Sequence, residues 1–198
     1  MRMIYFREPP AEVLRRFRAS QDTCDFTYTA IGATHTQAPA GFVVDRTRVK
    51  LGSGEDVFRV AQAALRRWDH FRLGWVEPWP ESIPIQSGEV ATIVIRQFGL
   101  WFLNACRIVY LVNEDGPIAK FGFCYGTLPG HFECGEERFQ VEWHRADDSV
   151  WYDIVAFSKP NLLLARLGYP WVRRTQRRFA RDSCAAMQRA VLSVAQVK

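Results

Sequence analysis

Three features of the sequence predict an α+β fold, with a curved antiparallel sheet of about seven strands wrapped round a long C-terminal helix. Between Leu73 and Phe157 the apolar residues fall at period two or in short runs separated by turn-forming residues. After Pro170 the spacing changes to three and four and keeps that period to about Ala195. Ahead of both, one extended run is followed directly by one helical run, Phe42 to Phe71. A meander with an apolar face needs a cover, and the terminal helix is long enough to provide it.

The elements follow in order. Pro9 and Pro10 precede AEVLRRFRAS, where Val13, Leu14 and Phe17 share one helical face and proline suits the first turn. Phe26 to Phe42 is rich in Thr, Gly and Pro and reads as a short extended piece followed by a loop. FVVDRTRVKL, Phe42 to Leu51, is the first main strand and ends at Gly52-Ser53-Gly54. Glu55 to Phe71 carries Val57, Phe58, Ala61, Ala64, Leu65 and Trp68 at helical spacing. Six strands are then expected at about Arg72 to Trp79, Glu89 to Phe98, Asn104 to Val112, Ile118 to Tyr125, Glu133 to His144 and Val150 to Phe157. PESIPIQSG, GLWF, NEDGP, LPGH and RADD separate them, and connections this short make neighbours antiparallel. A short helical piece is expected between Asn161 and Gly168. The long final helix has a stripe of Val172, Gln176, Phe179, Ser183, Ala186, Met187, Ala190 and Val194. This order, a strand, a helix, a meander and a terminal helix, is that of a helix-grip domain.

At 198 residues the chain can bury a core of its own without disulfide or metal help. We expect an N-terminal helical extension over residues 1–25 and a single helix-grip domain over 26–198. An apolar content of 48% excludes disorder, and no apolar run approaches the about 18 residues of a membrane-spanning helix. MRMIYFREPP lacks the apolar core of a signal peptide, so a cytoplasmic location is expected. The cysteines Cys24, Cys106, Cys124, Cys134 and Cys184 are odd in number and scattered, which fits reduced thiols packed as small hydrophobes. Charge is uneven: Lys159 to Lys198 carries +8, leaving −3 on the rest. A basic terminal helix either presents a solvated face or meets an anionic surface.

The densest motif is FGFCYGTLPGHFECGEERF, Phe121 to Phe139. With FTYTAIGATH, GSGEDVFRVAQAALRRW, NACRIVYLV, AFSKP and LGYP in the same order, it closely resembles the family catalogued as domain of unknown function nineteen-ninety, over about Phe26 to Met187. The resemblance implies a place among START-type and birch-pollen-allergen-type helix-grip proteins. That superfamily implies binding of hydrophobic ligands, with occasional cyclases or hydratases, while the family itself carries no established activity to transfer. Phe132 stands where the family commonly has Pro, which leaves that turn less rigid.

Strand alternation selects candidate cavity residues. On one face of the strand from Glu133 lie Glu133, Gly135, Glu137, Phe139, Val141 and Trp143, and its apolar members mark the inner face. Glu137 therefore points inward, as a functional acid or base or as half of an ion pair with Arg107 or Arg48. Tyr125 and Thr127 share the parity of Phe121 and Phe123, and could anchor the polar end of an apolar ligand or satisfy backbone groups at the turn. His131 is a candidate acid or base near pH 7, or a structural loop residue. Arg107 shares parity with Leu103 and Ala105 and reads as an inward arginine, and Gln176 as an inward polar group on the last helix. Trp68, Trp75, Trp79 and Trp101 are cavity walls or core. Cys124 and Cys134 fall on the face opposite Glu137, so no metal is expected, and no motif asks for a cofactor.

The favoured reading is a non-catalytic or weakly catalytic protein binding a hydrophobic small molecule or lipid between sheet and terminal helix, through Tyr125, Thr127, Glu137, Arg107, Phe139, Trp143 and Gln176. The alternative is an enzyme using Glu137 or His131 for proton transfer. A third reading puts a membrane or nucleic acid on the arginines between Arg173 and Arg181. Nucleic acid is disfavoured there because no aromatics interleave with them, while a peripheral membrane contact stays open.

Overall fold

A computed structural model describes residues 2–161 and 168–195. The short helical piece expected between Asn161 and Gly168 lies outside the described residues. The elements are β1 (Ile4–Tyr5), α1 (Ala11–Ala19), β2 (Val43–Ser53), α2 (Glu55–Arg66), β3 (Val76–Trp79), β4 (Val90–Gln97), β5 (Leu100–Glu114), β6 (Ile118–Thr127), β7 (Glu133–His144), β8 (Ser149–Pro160) and α3 (Tyr169–Ala195), with 3₁₀ turns at Ala33–His35 and Asp69–Phe71. The α+β helix-grip arrangement is present: an antiparallel sheet in the order β2-β8-β7-β6-β5-β4-β3, with α3 against one face.

The strand beyond the expected seven is β1. Opposite β5, β6 reaches only as far as the Cys106–Thr127 pair, so the next stretch of that edge is open, and Ile4 and Tyr5 pair there with Phe102 and Trp101. Strand β5 also begins earlier than its turn residues suggest. The reversal needs only Phe98 and Gly99, both at positive φ (54° and 71°), so Leu100 to Phe102 continue as strand.

Both faces of the sheet are covered. On the inner face, α2 contributes Phe58, Ala61, Ala64 and Leu65, and α3 contributes Cys184, Met187 and Val191 to a core with Phe123, Phe139, Val141, Tyr152 and Ile154. The Tyr152 hydroxyl and Ser183 Oγ meet at 3.0 Å, tying β8 to α3. On the outer face, Leu14 and Phe17 of α1 pack on Val90, Leu103, Ala105 and Leu128. Residues from Phe26 to Phe42, read from the sequence as a short extended piece followed by a loop, form the second outer cover, with Tyr28 and Ala33 on Cys134 and Phe157.

Covering on both faces corrects the sequence reading of β5. Parity says which residues share a face, but Leu103 and Ala105 are apolar because α1 covers them, not because they face α3. Arg107, on their side, donates to the carbonyls of Gln21, Asp22 and Cys24 just beyond α1, at 2.8 Å each. It does not point inward. A register shift between Ile108 and Tyr110 then changes the alternation: Ile108 sits in the inner core, while the Tyr110 hydroxyl meets Thr34 Oγ1 at 2.9 Å on the outside.

Candidate functional site

Between the inner face of the sheet and the N-terminal half of α3 lies a cavity of about 480 Å³. Its walls are apolar: Phe71, Trp75 and Val76 ahead of the meander, Ile93, Ile95, Phe102 and Ile154 from strands, and Phe179 and Ala180 from the helix. Phe98 and Trp171 line it as well and are 67% and 57% exposed, so they stand at its solvent side, where their rings meet edge to face at 5.7 Å.

The polar end is built by β2, β6, β7, β8 and α3. Tyr125 and Glu137 are directly paired across β6 and β7, and the tyrosine hydroxyl donates to Glu137 Oε2 at 2.8 Å. Burial pushes the Glu137 carboxyl up to about 7; the Tyr125 hydrogen bond opposes this, and the neighbouring Asp45 and Glu133 carboxylates reinforce it. Four residues earlier on the same face, Glu133 Oε2 accepts from the Gln176 side-chain amide, while Glu133 Oε1 is buried without a partner. Burial raises the Glu133 carboxyl too. Gln176 Nε2 also donates to Ser158 Oγ at 3.0 Å. Arg173 grips Asp45 with both terminal nitrogens, one at 2.7 Å from Oδ1, and donates to Gln176 Oε1.

His131 lines the cavity, but burial pushes it down to about 4, so its ring is neutral at pH 7. Its Nδ1 meets the Glu133 backbone, 2.9 Å from the N–H and 3.1 Å from the carbonyl. Thr127 lines the same end, yet its hydroxyl is already engaged with Thr27 Oγ1 at 2.6 Å and with the Gly135 N–H at 3.0 Å.

The candidates named from the sequence thus separate into two groups. Tyr125, Thr127, His131, Glu137 and Gln176 converge on one end of the cavity. Phe139 is fully buried against Phe71 and Phe179 rather than on the wall. Trp143 is a correction: its ring meets Phe58 of α2, its indole N–H donates to Asp148 at 2.8 Å, and it stands away from the cavity. Arg107 lies on the outer face, as described. Neither arginine considered as a partner for Glu137 reaches it, since Arg48 binds Glu142 at 2.6 Å. Of the four tryptophans, Trp75 lines the cavity and Trp68 is fully buried core.

Sequence reasoning passed over Glu133, Asp45, Arg173 and Ser158. Glu133 carries the parity of Glu137 and was within reach. The Asp45–Arg173 pair joins β2 to α3 and depends on the sheet order, for which local patterning has no signal. Glu136 has a different role. On the outer face its carboxylate accepts from the Tyr28 hydroxyl at 2.9 Å, the Thr34 hydroxyl at 2.9 Å and the backbone N–H groups of Gly32 and Thr34. The close approach depends on Gly126, where a Cβ would come within 2.0 Å of the Tyr28 hydroxyl. Successive carboxylates on β7 therefore serve opposite faces.

Residues 27–186 match the profile described as Domain of unknown function (DUF1990). The chain is 38% identical over 208 aligned positions to a UPF0548 protein of Dictyostelium discoideum, with 96% of each chain covered. Among solved structures it is similar to Ara h 8.0201, at 12% identity and a TM-score of 0.46, over 77% of this chain and 99% of that one. Human STARD10 is similar at 12% identity and a TM-score of 0.45, over 97% of this chain and 83% of that one.

Proposed function

This chain belongs to the DUF1990 family, and from that premise we propose that its cavity binds a hydrophobic small molecule or lipid. The cavity itself carries this reading. Its walls are largely apolar side chains from the sheet, the helix and the segment before β3, and its buried carboxylates are gathered at one end. That is how a site holds a greasy body and orients it through few anchors. Tyr125, Glu137 and Gln176 are the anchors, and Phe98 with Trp171 forms one rim of the entrance.

The test is displacement of a neutral apolar dye. N-phenylnaphthylamine is expected to bind with enhanced emission, and Ala156→Phe, which projects a ring from the cavity wall beside Glu137, is expected to reduce that binding at least about tenfold. An Ala156→Phe protein that melts like the parent and still binds the dye equally well would remove the cavity as the site. Native mass spectrometry of gently purified protein then identifies what the cavity holds.

One observation favours a second reading, an enzyme. A carboxyl held near 7 is half ionised at neutral pH and can take or give a proton, and the Tyr125 hydroxyl beside it could stabilise developing negative charge. His131 is less suited, because its ring is held neutral with Nδ1 committed to the backbone.

A further inference from the structure

The polar end of the cavity is rich in acceptors and short of donors. Asp45, Glu133 and Glu137 all line it. The Arg173 guanidinium is spent on Asp45 and Gln176, and the Gln176 amide is divided between Glu133 Oε2 and Ser158. Glu137 receives the Tyr125 hydroxyl alone. Glu133 Oε1 is buried with nothing donating to it. Among the described residues neither glutamate is ion-paired; Arg177, the other cation on the lining, hydrogen-bonds to neither, and His131 is neutral. Glu133 accepts from Gln176 and Ser158 through one oxygen only and Glu137 from Tyr125 alone; buried carboxylates so short of donors are costly, and these two, four residues apart on one strand face, repel each other when ionised.

Resting on the reading of this cavity as a hydrophobic-ligand site, we infer that its ligand is a hydrophobic amine, whose ammonium group docks between Glu133 and Glu137 while its apolar body lies along Phe71, Trp75 and Phe179. An ammonium brings three N–H donors and one positive charge, which is the complement of an orphaned carboxylate oxygen and a singly bonded carboxyl. An alcohol brings one donor and no charge. A carboxylate or phosphate headgroup would meet like charge. Where Glu137 holds its proton, binding an already protonated amine completes an ammonium–carboxylate pair and releases that proton to solvent, so charge and atoms balance without a further reactant. The groups facing Glu137 are Tyr125 from β6, Glu133 at the start of β7 and His131 in the turn before it, Asp45 from β2, and Arg173 and Arg177 from α3. Of these, the Tyr125 hydroxyl lowers it through its hydrogen bond, while the Asp45 and Glu133 carboxylates raise it.

The experiment is isothermal titration of the full chain with decylamine, decanol and decanoate below their micellar concentrations. All three share one tail and differ in headgroup. At pH 8 decylamine is expected to bind at least about tenfold tighter than decanol, with decanoate weakest. Glu133→Gln and Glu137→Gln should each bring the amine's affinity toward the alcohol's. At pH 6 the measured heat of amine binding should vary with the ionisation heat of the buffer, reporting proton release, and Glu137→Gln should abolish that dependence. Equal affinity for amine and alcohol, or preference for decanoate, overturns the amine assignment and leaves a hydrophobic cavity. Absence of saturable binding by all three overturns the cavity reading and this inference with it. The headgroup comparison is made on the parent protein, so it stands even where a variant is poorly folded.

Discussion

Glu137 makes stability depend on pH in a direction that can be worked out. Its carboxyl titrates at about 7 in the fold, against 4.5 when free. Below 4.5 it is protonated in both states and contributes nothing to the pH dependence. Between 4.5 and 7 the unfolded chain gives up the proton while the folded one keeps it, so stability falls as pH rises, and the loss levels off above 7. Glu137→Gln is therefore expected to match the parent near pH 4 and to exceed it by about 1–3 kcal/mol at pH 8, measured by urea unfolding at both values. Tyr125→Phe removes the hydrogen bond that favours the charged form, and carboxyl NMR should show Glu137 titrating higher still. The inward direction of this residue was legible because β7 alternates regularly against a clear apolar set. That neither Arg107 nor Arg48 reaches Glu137 was not legible, since both find their partners through contacts distant in sequence.

At the scale of elements, Glu136 fastens the segment between α1 and β2 to the back of the sheet. Four donors from residues 28 to 34 end on one buried carboxylate. Glu136→Ala would strand them, and a loss of about 3–5 kcal/mol is expected in chemical unfolding. Hydrogen exchange should locate the damage: amides of residues 27–36 lose protection before those of β6 and β7. A variant whose exchange accelerated uniformly would mean that the segment is not held by this carboxylate in particular. From the sequence this segment offered only Thr, Gly and Pro, and its attachment was illegible because the partner lies more than a hundred residues away. Strands and helices were read far better, each having a period of its own. The outer cover was the source of error, since it gave β5 two apolar faces and removed the cue that distinguishes inside from outside.

For the whole molecule, the order β2-β8-β7-β6-β5-β4-β3 makes most neighbours in space neighbours in sequence, and one junction is the exception. β2 pairs with β8 along its full length, from Val43 opposite Ser158 to Ser53 opposite Ser149. Loops of that size must close before their contacts stabilise anything, so refolding is expected in milliseconds to seconds and not in microseconds, as stopped-flow tryptophan fluorescence would register. The general architecture was legible because a meander followed by a long amphipathic helix has few ways to pack. The cavity's polar end was legible only in part, for it assembles from the strand closing the sheet and the helix behind it.

That junction also bears on how the chain is made. At ribosomal rates of about 5–20 residues per second, β2 emerges about 5–20 s before β8 exists to pair with it. Throughout that interval its edges are open to any neighbouring nascent chain. Asp45, Arg46, Arg48 and Lys50 place charge along the strand, which discourages pairing with strangers until its own partner is synthesised.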